Sequence, residues 1–511
     1  MKKLVLASTA VAVLTGSALA ADLPARTTVR APVMPEPVAN WTGFYVFGGA
    51  GGGLWAADSY EVLNTGGPAV SHKQRFGGSG YFGTVGAGYD WQFNRSWVAG
   101  IFADGQFGSI RGSITEPFIS AAGPETLRTS YAAGVRLGYL VAPNVLSYVN
   151  AGYSGSDWSG ASFSSLFPAG TRDFLATPSF HRDGFFVGGG VENNLNIFGI
   201  TAPGWFMKTE YRAAYYDRIA LPEAFTPVGG PDGLSATFKP IVQTVSTSLV
   251  YRFNTSGSVV AADLPARTYT KAPVIREAAA NWTGFYLFGG AGGGLWNADS
   301  NAVSTGGSLG AFGPAGTVLT LDQRFGGEGW FGTVGAGYDW QFNRTWLAGI
   351  FADGQFGSIR GSLSDPTFVG DVDGVEKLRT SYAAGVRLGY LVAPNVLSYV
   401  NGGYSGSEWS GMTMSSPALP AFDTTSSFHR NGWFIGGGAE NSLNIFGISA
   451  PGWFMKTEYR AAFYNRATLA TTFLGLGGIT GEAVTFKPWV QTISTSLVYR
   501  FNWGGPVVAK Y

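Results

Sequence analysis

Tyr131-Ala132-Ala133-Gly134-Val135-Arg136-Leu137-Gly138-Tyr139 decides the fold. Side chains on a strand alternate between two faces, so Tyr131, Ala133, Val135, Leu137 and Tyr139 share one face. Ala132, Gly134, Arg136 and Gly138 share the other. A helix would scatter these residues around its circumference; a strand separates an apolar, aromatic-ended face from a small and ionic one. The same period of two runs through 204–216, where Trp205, Met207, Thr209, Tyr211, Ala213 and Tyr215 oppose Phe206, Lys208, Glu210, Arg212 and Ala214. It also runs through 97–107, where Trp97, Ala99, Ile101, Ala103 and Phe107 oppose Gly100, Asp104 and Gln106. Such segments read as strands.

Working outward, eight segments of this kind are predicted, at about 41–55, 79–93, 96–110, 127–141, 145–158, 180–194, 204–217 and 238–253. Each reaches the roughly 9–11 residues that a tilted strand needs to cross a bilayer. Tight links at Asn94-Arg95, Ala142-Pro143-Asn144 and 195–203 alternate with Gly/Ser/Pro-rich stretches at 56–78, 111–126, 159–179 and 218–237. Short turns on one side and long loops on the other characterise a transmembrane barrel. A soluble β-sandwich would use shorter strands and bury its aromatic face against a second sheet. Here Trp41, Tyr89, Trp91, Trp97, Tyr139, Trp205 and Phe253 gather near one set of strand ends, as an interfacial girdle would.

The pattern occurs twice. Leu127 to Asn150 returns unchanged as Leu378 to Asn401, and Gly204 to Ala214 returns as Gly452 to Ala462. Ala20 to Arg26 recurs as Ala261-Ala262-Asp263-Leu264-Pro265-Ala266-Arg267, as in a fusion of two whole mature units. A repeat this long is a duplicated domain and not a solenoid unit. Lys2, Lys3 and the apolar run Leu4 to Leu14, ending in Ala18-Leu19-Ala20, read as a signal peptide cleaved after Ala20. The predicted organisation is a signal peptide at 1–20 and an N-terminal periplasmic segment at 21–40. The first barrel follows at 41–254, a linker at 255–281, the second barrel at 282–502 and a tail at 503–511. The fold class is all-β: a transmembrane antiparallel up-and-down barrel, two eight-stranded barrels in tandem. The alternative is one sixteen-stranded barrel.

Trp41-Thr42-Gly43-Phe44-Tyr45, repeated as Trp282-Thr283-Gly284-Phe285-Tyr286, and the ending Ser248-Leu249-Val250-Tyr251-Arg252-Phe253 carry a family likeness. The chain resembles the small alphaproteobacterial outer-membrane porin-like proteins, surface immunogens of the opacity-protein type. That resemblance implies an outer-membrane location and an assembly signal at Tyr251 and Phe253 in the first copy, Tyr499 and Phe501 in the second. The implied partners are outer-membrane lipid and, during biogenesis, periplasmic chaperones and the barrel-assembly machinery. Asn502 to Tyr511 follow the second signal, and the duplication departs from the family's single units.

Few residues suggest chemistry. The chain has no cysteine, a net charge of +1 and 13% charged residues, with no basic run suited to nucleic acid. No helical period follows Gly48-Gly49-Ala50-Gly51-Gly52-Gly53, so it reads as steric room inside a narrow barrel and not as a phosphate loop. His72 reads as a lone loop residue, and His181 and His429 as equivalent surface residues at loop edges; no metal, cofactor or catalytic set is predicted. The one constellation is the inward ionic face. Copy one supplies Asp90, Asp104, Glu192 and Glu210 against Arg136, Lys208, Arg212 and Arg252; copy two supplies Asp339, Asp353, Glu440 and Glu458 against Arg387, Lys456, Arg460 and Arg500. Asp104, Arg136, Glu210 and Arg212 are expected near mid-height, the rest nearer the periplasm. Facing lipid, such charges would each cost about 2–4 kcal/mol at the midplane. An eight-stranded interior is just wide enough for side chains to fill it, so balanced charges predict a polar plug over an open channel. Two functions remain open: a porin-like envelope barrel passing small solutes slowly, or a surface adhesin or antigen working through its loops.

Overall fold

A computed structural model describes residues 40–166, 173–195, 202–253, 281–306, 313–365, 367, 372–417, 419–443, 450–474 and 477–501. The expected signal peptide with Ala18 and Ala20, the segment before residue 40, nearly all of the linker and the tail lie outside them, as does most of the 195–203 link. Eight long strands build the first copy: β1 (Gly43–Ser59), β2 (Gln74–Gln92), β3 (Trp97–Glu116), β4 (Ala121–Ala142), β5 (Val145–Trp158), β6 (Phe180–Asn194), β7 (Trp205–Tyr216) and β8 (Pro231–Arg252). The second copy repeats them as β9 (Gly284–Ser300), β10 (Gln323–Gln341), β11 (Trp346–Ser364), β12 (Asp373–Ala393), β13 (Val396–Trp409), β14 (Phe428–Ser442), β15 (Trp453–Tyr464) and β16 (Ile479–Arg500).

Each copy closes on itself. Consecutive strands pair antiparallel around the ring, and β1 takes β8 as its second neighbour, Tyr45 opposite Arg252 and Gly49 opposite Ser248. In the same way β9 pairs with β16, Tyr286 opposite Arg500. The sixteen-strand alternative is not adopted, because closure leaves neither first strand an edge for the other copy's last strand. At the Asn94 turn, the Asn94 side-chain oxygen accepts from the backbone N–H of both Ser96 and Trp97 at 2.8 Å, a local substitute for ladder bonds.

The strands run beyond the predicted loop boundaries. Stretch 111–126 is a continuation of β3 and β4 joined by a four-residue turn, 117–120, and not a long loop. An aromatic ring of Tyr81, Phe107, Tyr131, Tyr153 and Phe185 faces outward on the side opposite the predicted girdle. Past that ring the sense of alternation inverts: Ile110 and Ile114 point inward and are buried, while Arg111 points outward and is exposed. A β-bulge sits at the changeover, between Phe107 and Ile110 against Thr129 and Leu127, and again between Phe356 and Ile359. Along β2 the band from Tyr81 to Trp91 spans eleven residues, within the roughly 9–11 that a tilted membrane-crossing strand takes, and the strand ends project beyond it.

Trp41 departs from the girdle assignment. It is wholly buried, its ring lying against Phe206 at 5.1 Å and its indole N–H donating to Pro143 O at 3.3 Å. It closes the lumen from below, and Trp282 does the same in copy two, against Phe454 at 5.0 Å. Tyr89, Trp91, Trp205 and Phe253 remain outward and exposed.

Candidate functional site: the ionic lumen

Every one of the sixteen candidate charges is buried, and they form two layers in each barrel. In the lower layer of copy one, Asp90 accepts from Arg136 Nε and from Arg252 Nη2, both at 2.8 Å. Glu192 accepts from Arg136 Nη1 at 3.0 Å and Arg252 Nε at 2.8 Å. In the upper layer Arg212 grips Asp104 with two bonds at 2.8 and 2.6 Å and Glu210 with a third at 2.8 Å. Lys208 Nζ lies 3.6 Å from Glu210, which also accepts from the Tyr148 hydroxyl at 2.8 Å and from Asn150 at 3.0 Å. Each layer holds two acids and two bases and sums to zero.

Two residues leave their predicted heights. Arg136 belongs to the lower layer and Lys208 to the upper. Strands of a barrel tilt, so a row of paired residues climbs around the wall: Arg136 stands opposite Gly100, which stands opposite Asp90. Arg136 thus shares a row with Asp90, whereas Lys208, which stands opposite Glu192, reaches along its own strand to Glu210.

Aromatic rings fill the space between charges. The Arg136 guanidinium sits over Tyr45 at 4.4 Å, Arg252 over Trp41 at 4.4 Å, Arg212 over Phe186 at 4.6 Å and Lys208 Nζ over Phe47 at 3.3 Å. Desolvated cation–π contacts of this kind contribute about 2 kcal/mol each. Above them Trp55, Trp158 and Phe238 meet edge to face at 5.0–5.7 Å, and Trp55 Nε1 donates to Ile110 O at 3.0 Å. From Trp41 to Trp158 the lumen is a stack of alternating ionic and aromatic layers.

Copy two repeats the arrangement residue for residue. Arg387 and Arg500 hold Asp339 and Glu440, with Arg387 Nε to Asp339 at 2.8 Å and Arg500 Nε to Glu440 at 2.8 Å. Arg460 holds Asp353 at 2.8 and 2.5 Å and Glu458 at 2.7 Å, and Lys456 stands 3.5 Å from Glu458. Tyr251 and Phe253 point outward beside each other with rings 5.2 Å apart, as do Tyr499 and Phe501. Their neighbours Arg252 and Arg500 point inward.

The sequence reading missed buried acids in the extracellular extensions. Burial, then Glu61 and Glu116, hold the Glu223 carboxyl far above the usual carboxylate range. A carboxyl raised that far is protonated at neutral pH and adds no charge there. In copy two, burial and then Asp365 raise Glu482 likewise, and Asp423 is pushed up to about 7 by the same two causes. These residues lie in segments whose composition resembles loops, and of these six only Glu116 and Asp365 occupy equivalent positions. One histidine also differs from expectation. His72 is not alone: its Nδ1 meets Asp373 of the second copy at 2.7 Å. His181 is flanked by Asp157 at 2.9 Å and Asp183 at 3.2 Å, where His429 has Glu408 and Asn431.

A family model described as the outer membrane protein beta-barrel domain matches residues 8–253 and again 272–501. The 31 kDa outer-membrane immunogenic proteins of Brucella melitensis and Brucella suis are each 31% identical over 134 residues, 26% of this chain. The match spans about half, 52%, of those relatives' own length. Among solved structures, a Pseudomonas aeruginosa FadL homologue superposes with a TM-score of 0.26 at 12% identity, covering 89% of this chain and 90% of that one. Ail, the attachment invasion locus protein of Yersinia pestis, gives 0.17 at 15% identity, covering 40% of this chain and 99% of its own.

Proposed function

This chain belongs to the outer membrane protein β-barrel family, and from that premise we propose that it is a pair of sealed membrane anchors whose working surface is extracellular. Its place is the outer membrane, and its family and relatives are barrel proteins, not enzymes. The observation that carries the reading is the filled lumen. All eight charges of each copy are buried and balanced, with a tryptophan below them and an aromatic cap above. A solute would have to break several charge-assisted bonds in a low-dielectric interior, and these are the strong class of hydrogen bond. Slow porin-like passage is the lesser reading, because it needs both layers to part.

The relatives' description as immunogenic agrees with exposed extracellular ends. Lipid surrounds the band between the aromatic rings, and the outward Tyr251, Phe253, Tyr499 and Phe501 are the surface offered to chaperones and the assembly machinery. Liposomes containing the purified chain are expected to swell in sugar solutions no faster than protein-free liposomes. Replacing 61–72 with a short Gly/Ser turn should remove binding of antibodies raised against that segment from intact cells at unchanged permeability. Swelling rates that fall with sugar size would sink the sealed-anchor reading.

A further inference from the structure

The two barrels meet through equivalent faces. β2 pairs with β1 down to Gln74 but with β3 only from Gly78, so Gln74–Gly77 present an open strand edge. In copy two the same fork leaves β10 open at Gln323–Gly326. These two edges lie against each other, with Phe76 opposite Phe325 and their rings 5.7 Å apart. The contacts are reciprocal. Arg75 N–H donates to Ser362 Oγ at 2.9 Å, and Arg324 N–H donates to Ser113 Oγ, the equivalent atom of copy one, at 2.6 Å. Arg75 Nη1 donates to Arg360 O at 3.3 Å, and Arg324 Nη1 to Arg111 O at 3.0 Å. A patch that binds its own equivalent in this crossed manner is an isologous, twofold interface, and it closes at two members.

Burial agrees. Leu54 and Leu295 point outward on β1 and β9 yet are completely buried, forming a separate apolar cluster with Ala56 and Trp489. On the same face Val46 is 43% exposed. Positions where the copies differ add bonds across the seam. Glu328 stands where copy one has Ser79 and takes Arg75 at 3.0 Å. Asn297 stands where copy one has Ala56 and donates to Gly78 O at 2.6 Å. An open edge otherwise invites uncontrolled pairing, and here each copy covers the other's.

We infer that the face around Arg75 and Arg324 is a self-complementary docking surface whose partner is a second barrel of the same kind, so that the two barrels hold together without their linker. The covalent fusion secures a pair that the seam already specifies. In the full chain a protease site is inserted within 255–281, and the protein is cut after extraction in mild non-ionic detergent. The cut chain is expected to elute from a sizing column with the uncut one. Gly77→Leu with Gly326→Leu should separate the halves after cutting. A Cβ on Gly77 meets Asn297 Oδ1 and Phe325 O of the other copy, and one on Gly326 meets Phe76 O at 2.7 Å. Heat-shifted gel mobility reports whether both barrels of that variant are folded. As a measurement free of that clash, Phe76→Cys with Phe325→Cys, directly opposed across the seam, is oxidised in intact outer membranes and then cut. The expected product runs at full length on a denaturing, non-reducing gel. Dissociation of the cut wild type into half-mass barrels, or absence of that cross-link, overturns the inference.

Discussion

Arg136→Leu is expected to lower the unfolding free energy of the first barrel by about 3–5 kcal/mol, the cost of removing one partner from a buried ionic group. Arg136 bridges Asp90 and Glu192 with three bonds of its guanidinium, and its side chain is 2% exposed. Without it Arg252 faces two buried carboxylates alone, and the lower layer carries one uncompensated negative charge. Water cannot reach the site to compensate, because Trp41 lies beneath it and the Tyr45 ring covers it. Urea unfolding in detergent, followed by loss of the heat-shifted band, measures the effect. The second barrel serves as an internal reference, since Arg387 holds the equivalent layer there. Pairing Arg136→Leu with Asp90→Leu restores neutrality and should recover part of the loss, as coupled neighbours do. A single substitution that changed stability by less than about 1 kcal/mol, the range of exposed ion pairs, would show that these charges are solvated.

Gly51→Leu is expected to prevent the first barrel from closing. Gly51 faces inward on β1 beside β8, and a Cβ there would stand 2.2 Å from Val245 O and 2.6 Å from the Phe82 ring. The ring can turn, but the carbonyl belongs to the ladder that closes the barrel. The penalty therefore exceeds the ~1–3 kcal/mol of ordinary overpacking. Gly83 gives the contrast: it faces outward, and the nearest atoms to its Cβ are backbone oxygens at 3.9 and 4.0 Å. Gly83→Ala should leave the unheated gel mobility of both barrels unchanged, whereas Gly51→Leu should remove the shift of one barrel. Normal heat-shifted mobility in both barrels of Gly51→Leu would contradict the close approach.

The membrane-spanning part of the strands was legible because one physical rule governs it throughout: apolar toward lipid, ionic toward the lumen. Tyr131 to Tyr139 states that rule within nine residues. The strand extensions were not legible, because past the outer aromatic ring the rule reverses. On β3 the even positions that carry Asp104 inward go on to carry Ile110 and Ile114 inward with Arg111 outward. On β4 the bulge shifts parity, so that Leu127 and Ser130 are both buried. Trp41 resembled a girdle residue by its place at a strand end, and only strand tilt and the Arg252 guanidinium reveal that it turns inward. The identities of the sixteen inward charges could be read by parity, but their partners depend on rows that climb around the wall. The seam left no trace at all. Leu54 and Leu295 are as greasy as any lipid-facing residue, and their burial becomes visible only once a second barrel lies against them.

Closure of each copy onto its own last strand underlies the filled lumen, the neutral layers and the seam alike. The chain has no cysteine, so an introduced pair reports without background. Ala50 stands opposite Thr247 across the closing ladder of the first barrel, while Thr495 stands opposite Ala291 in the second. Directly opposed residues of antiparallel strands lie within disulfide reach. In outer membranes treated with oxidant, Ala50→Cys with Thr247→Cys is expected to cross-link efficiently, and Ala50→Cys with Thr495→Cys is expected not to. Cross-linking of residue 50 to residue 495 in place of 247 would mean that the first strand closes on the last strand of the whole chain, in one wide barrel.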